Sequence, residues 1–301
     1  MSTTKFTDLK KGFKIDILFQ NNPSSRPDYE GTIQRLEKIQ SKNSKGFLSM
    51  YLPYIHEGFK IAIQLIYRYL NFEVIREYFP GLSLVSIDNY DFSKAKIRIY
   101  VFSLEDMDIF YKEFNFAPDT SGTALILRNF KSKAYVGMPI IIIKERVLER
   151  NPSLTFDKKK LMVQKDIVHV TTHETLHILG LSQFHLPSTN MLLEPLVELL
   201  AIKGVSSIPR YADIPEVKEH LVVGYPNMTY GLNLLINKLK KNGLRFDDFI
   251  CGYGFGDKKS LDKINNKIIE LFGEQAYLEL NQIIKNKPSS FNYFIKKLLR
   301  L

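Results

Sequence analysis

The chain has six histidines, and four of them, His169, His173, His177 and His185, fall between Asp166 and His185. At the centre of that tract stands His173-Glu174-Thr175-Leu176-His177, two histidines four residues apart with a glutamate directly after the first. On a helix, four residues turn through roughly 400°, so His173 and His177 share one face about a turn apart. Two imidazoles in that arrangement bind one tetrahedral zinc ion from the same side. Glu174 leans toward that side and takes a proton from a metal-activated water without ligating the ion, while the metal polarises a carbonyl. The competing reading is a solvated or core helix with two chance histidines. It requires a third of a scarce residue type to gather around a glutamate by accident. One zinc ion per chain is the expectation.

A helix must present these groups. Asp166 reads as its N-cap, Ile167, Val168, Val170, Leu176, Ile178 and Leu179 as its apolar faces, and Gly180 as its stop. Few of these positions are charged, so the helix is expected to be buried. His169 falls one turn before His173 and is assigned either to a place behind the ligands or to the core, with the core preferred.

The stretch His173–Leu181, HETLHILGL, resembles the metzincin metalloprotease signature, and Tyr225–Gly231, YPNMTYG, is similar to the Met-x-Tyr turn of astacin-like and serralysin-like metzincins. The resemblance implies a zinc-dependent metallopeptidase on a zincin-like fold. In it, Met228 forms a floor under the metal and Tyr230 donates to the reacting oxyanion. The family's third ligand stands at position 183, here Gln183, and the nearest histidine is His185. A second scheme, the gluzincin one, places a glutamate on the next helix, and Glu198-Leu199-Leu200-Ala201 has its form, with Glu194 nearby. His173, His177 and His185 are the preferred ligand set, with Glu198 and Glu194 as alternatives. The resemblance covers two short motifs and the strand order before them.

The rest of the chain supplies the scaffold. Phe13–Phe19, Leu82–Ile87, Lys96–Phe102, Gly122–Asn129 and Ala134–Lys144 read as strands. Asp28–Gln40 reads as a helix broken by Ser41–Gly46, Ile55–Phe79 as a long helix backing the sheet, and Leu104–Phe114 as a short helix. By resemblance, Gly122–Asn129 is the antiparallel edge that pairs with a substrate's main chain. After His185, helices are expected over Leu193–Lys203, Leu232–Lys241, Ser260–Phe272, Glu274–Lys285 and Ser290–Leu299. A loop covers Gly204–Asp213, and a turn is expected at Gly252–Gly256. His56 and His220 are read as surface histidines. The expected fold is α+β: a mixed sheet with backing and active-site helices over residues 1–186, then a mainly helical subdomain over 187–301.

Composition narrows the function classes. With 45% hydrophobic and 25% charged residues the chain reads as globular. The net charge of +10 is spread along the sequence and its densest run, Lys158-Lys159-Lys160, is short, so it reads as a solvated surface rather than a nucleic-acid face. No apolar run approaches membrane-spanning length and no signal peptide is visible, so a cytoplasmic protein with a peptide or protein substrate is expected. The single cysteine, Cys251, excludes an intrachain disulfide and reads as a buried free thiol. The alternative to a peptidase is a non-catalytic zinc-binding regulatory protein on the same fold. The retained Glu174 speaks for catalysis.

Overall fold

The structure is a computed structural model that describes residues 28–70, 72–116, 121–125, 137–146, 155–180, 190–212, 214 and 226–301. The expected strand at Phe13–Phe19, together with Gln183, His185, His220 and Tyr225, lies outside these residues. Packing groups the described chain into two compact units, one drawn from Lys14–Leu179 with Ala201–Val223 and one from Gly180–Leu200 with Gly224–Leu301.

The first unit is a layered α+β body. Helix α1 (Tyr29–Ile39) is capped by Asp28, whose carboxylate accepts from the Gly31 amide. Helix α2 (Lys42–Ile66) follows at once. The expected break at Ser41–Gly46 is instead the start of α2: Ser41 Oγ accepts from the Ser44 amide, and Gly46 stands on an exposed helical turn. The helix expected to run on to Phe79 ends at Ile66, and a short α3 (Phe72–Tyr78) succeeds it. Leu82–Ile87 forms turns rather than a strand. Ser86 Oγ accepts from the Ser83 amide and donates to the Ser83 carbonyl, and these local bonds outcompete a sheet ladder.

Strand β1 (Arg98–Phe102), helix α4 (Leu104–Phe114), strand β2 (Gly122–Leu125) and strand β3 (Ile140–Lys144) come next. The sheet order is β1-β3-β2, with β1 parallel and β2 antiparallel to β3. Ile140 to Ile143 are fully buried, as the central strand of a sheet covered on both faces requires. Tyr100, Phe102, Ile140 and Ile142 face α1 and α4 in one core. The alternate residues, Val101, Ile141 and Ile143, point to the opposite face, where α2 and helix α5 (Phe156–Ile178) pack. Phenylalanines gather in ring clusters, among them Phe59, Phe79 and Phe92 with centroids 5.5 to 6.1 Å apart.

Helix α5 starts ten residues before the expected N-cap. Thr155 caps it by accepting from the Lys158 amide, and Asp157 suits the positive end of its dipole. Asp166 is therefore interior, and its carboxylate is taken by a buried ion pair with Arg146. The helix ends at Ile178 with Gly180 at φ +114°, in line with the expected glycine stop. Helix α6 (Asn190–Ser206) and the short α7 (Pro209–Ala212) replace the loop expected from Gly204.

The second unit is helical. Its elements are α8 (Pro226–Lys241), α9 (Phe246–Phe249), a π-helical turn at Ile250–Gly254, α10 (Lys258–Phe272), α11 (Glu274–Asn286) and α12 (Phe291–Leu299). The four long ones match the expected helices within a few residues, except that α8 begins six residues early. The glycine-rich Gly252–Gly256 tract belongs to the π-helical turn, closed by a Phe255 amide to Ile250 carbonyl bond of 3.0 Å. No helix among the described residues is long and apolar enough to cross a membrane.

Helices α2 and α5 approach most closely at Gly58. A Cβ there would stand 2.6 Å from Thr171 Cβ and 2.9 Å from the Val168 carbonyl oxygen, whereas one at Gly46 would meet nothing within 4 Å. Gly58→Ala should therefore destabilise the protein by about 1–3 kcal/mol through overpacking. Gly46→Ala should stabilise it by about 0.5–1 kcal/mol through helix propensity. Urea midpoints measure both. Equal shifts at the two positions would contradict the crossing.

Candidate metal centre

Helix α5 turns its Thr171 and Thr172 side toward α2. Thr172 Oγ1 donates to the Val168 carbonyl at 2.7 Å and lies 3.3 Å from the Gly58 carbonyl. Residues 173 and 177 are roughly 200° to 240° around the helix from 171, so the histidines face away from α2. Both are half-buried, and Glu174 between them is buried. The two imidazoles meet with ring centroids 4.9 Å apart, and His173 Nε2 and His177 Nε2 are 3.1 Å from each other. Two nitrogens bound to one tetrahedral zinc at about 2.05 Å would be about 3.3 Å apart, so this is close to the bite of such an ion.

Helix α6 is apolar nearly all round. Between 192 and 201 only Glu194 and Glu198 are half-exposed; every other residue is buried. They lie one turn apart on one stripe. The far end of the same helix is fixed where Val205 packs with Ile61, Val168 and Tyr211. Glu194 and Glu198 are thus the two carboxylates that α6 offers as metal ligands between 192 and 201, the second with the gluzincin-like alanine after Leu200.

The other expected site residues fall as follows. His169 is half-buried, one turn before His173. His56 lies within α2 rather than at a helix start. It packs on the Phe92 ring at 5.5 Å, and burial lowers its pKa. Met228, Thr229 and Tyr230 belong to the first turns of α8 and not to a turn, because Pro226 opens that helix. Met228 is buried, while Tyr230 is exposed and carries the Lys296 ammonium 5.3 Å over its ring. Its oxyanion role rests on the resemblance alone. Burial pushes the Cys251 thiol up to about 11, which keeps it protonated at neutral pH.

Strand β2 lies directly against the helix that carries these ligands. A Cβ on Gly122 would be 2.4 Å from Val170 Cγ1, so glycine lets the strand lie this close to α5, and the same Cβ would be in ordinary contact with Glu174 Cγ at 3.7 Å. The Lys144 amide donates to the Ser121 carbonyl at 3.1 Å. That register turns Thr123 and Leu125 toward β3 and leaves the main-chain groups of Gly122 and Ala124 facing the open edge. Among the described residues nothing else pairs with β2.

Searches against protein-family models, curated proteins and solved structures find no match for the chain.

Proposed function

We propose that the protein is a zinc-dependent metallopeptidase whose ion is held by His173, His177 and a third ligand drawn from His185, Glu194 and Glu198. The observation that carries this reading is the 3.1 Å approach of two imidazole nitrogens on an H-E-x-x-H helix. Two histidines and one further ligand leave a fourth position open, as catalytic zinc requires. Zinc, when bound, polarises the scissile carbonyl and makes a water more acidic. Glu174 accepts that water's proton and passes it to the leaving amine. Its burial suits a base that must exchange protons with the substrate rather than with bulk solvent. The peptide lies along β2 as an added strand, hydrogen-bonded to Gly122 and Ala124 and extended past Glu174. We assign no step to Tyr230. The zincin-like character of the fold belongs to the same proposal, supported by an antiparallel edge strand beside an H-E-x-x-H helix.

Purified protein should bind one zinc ion per chain and cleave unstructured peptides. Glu174→Gln should keep the metal and lose turnover by about a hundredfold to ten-thousandfold, the usual contribution of a positioned base. A variant that binds zinc and retains full turnover would remove Glu174 from the mechanism. A wild-type chain that binds zinc and cleaves nothing would favour the regulatory alternative.

The ligand set has its own test. One of His185→Ala, Glu194→Ala and Glu198→Ala should weaken zinc binding by orders of magnitude while the other two keep it, as read by competition with a chromophoric chelator and checked for folding by circular dichroism. Loss confined to His185→Ala would point to the metzincin set, loss confined to a glutamate variant to a carboxylate from α6, and zinc held by all three variants would overturn a third ligand from this stretch.

A further inference from the structure

Arg146 sits just past β3, and its side chain is 1% exposed. Nη1 donates to the Lys144 carbonyl at 3.0 Å and Nη2 to the Ser121 carbonyl at 3.1 Å. Nε meets Asp166 Oδ2 in an ion pair without the alignment of an ordinary hydrogen bond. The Arg146 amide donates to Tyr51 Oη at 3.1 Å, which brings in α2. One guanidinium therefore links the end of β3, the residue before β2 and helix α5. Asp166 precedes His173 by seven residues, two helical turns, so the pair lies on the same side of α5 as the ligands. Ser121 directly precedes Gly122, which abuts Glu174.

The ordinary explanation is stability alone, but the geometry argues for more. Buried ion pairs contribute little net stability against well-packed apolar residues. A planar fork that fixes two carbonyls and a carboxylate at once is instead a positioning device. We infer that Arg146 is a positioning residue that sets β2 against α5, and so aligns the peptide-accepting groups of Gly122 and Ala124 with Glu174. This rests on the peptidase reading for its consequence, but not for the clamp itself.

Arg146→Ala would leave Asp166 buried and uncompensated, so the informative variants are Arg146→Lys and the double replacement Arg146→Met with Asp166→Leu. The double variant should fold, bind one zinc ion and keep kcat within about twofold, while KM for peptides rises about tenfold, the loss of roughly one hydrogen bond's worth of alignment. Arg146→Lys, which keeps the charge but not the fork, should fall between it and wild type. Hydrogen exchange across residues 121–125, followed by mass spectrometry, should be faster in both variants. Wild-type exchange in a folded double variant would overturn the clamp. Faster exchange with unchanged KM, or a loss confined to kcat, would overturn the role in aligning substrate. If the wild-type chain neither binds zinc nor cleaves peptides, the peptidase reading falls and takes the KM expectation with it, while the exchange measurement still decides the clamp.

Discussion

The close passage of α2 over α5 at Gly58 is the constraint from which the site's geometry follows. With no side chain at 58, the α2 backbone comes within reach of Thr171 and Thr172, and Thr172 Oγ1 lies 3.3 Å from the Gly58 carbonyl while bonding back to its own helix. The contact fixes the rotation of α5 about its axis. Once the threonine side is committed to α2, the opposite side must carry His173 and His177, and Val170 and Glu174 fall between, against β2. A rotation of one residue, about 100°, would turn the histidines away and bury a different pair. The helix is long enough, from Phe156 to Ile178, that its first half can be held by sheet and ion pair while its second half bears the chemistry.

Much of this was legible in the sequence, because the H-E-x-x-H spacing and the helical period agree with each other. The pair at 173 and 177, the glutamate between, the glycine stop and helix α4 follow from patterns that local chemistry dictates. The misreadings have a common cause. Asp166 before an apolar run looks like an N-cap, and only the guanidinium of Arg146, distant in sequence, shows that it is an interior partner. Ser41 looked like part of a break and is a cap that restarts the helix directly. Leu82–Ile87 has strand-like residues, but Ser83 and Ser86 satisfy each other locally. At α8 the sign is local: Pro226 at a first helical position marks the start of a helix that then includes Met228 and Tyr230.

The third ligand shows where pattern matching stops. Two family schemes point to His185 and Glu198, each by its offset from the motif. An offset in sequence becomes a position in space only through the intervening chain, and residues 181–189 lie outside the described structure. Helix α6 supplies a physical clue of another kind. A helix buried on nearly every side does not carry carboxylates idly, since a desolvated charge costs several kcal/mol unless it is matched, and Glu194 and Glu198 both meet that condition.

The contact between the two imidazoles is the last constraint. At 3.1 Å the facing Nε2 atoms of His173 and His177 cannot both donate, because one nitrogen of a hydrogen-bonded pair must accept. Two neutral rings therefore meet with one proton between them, whereas a cation bound at this face would take a lone pair from each and need no proton there. The helix sets that separation, since residues four apart on one face are neighbours. The rotation of α5, set where α2 crosses it at Gly58, decides which way the pair faces.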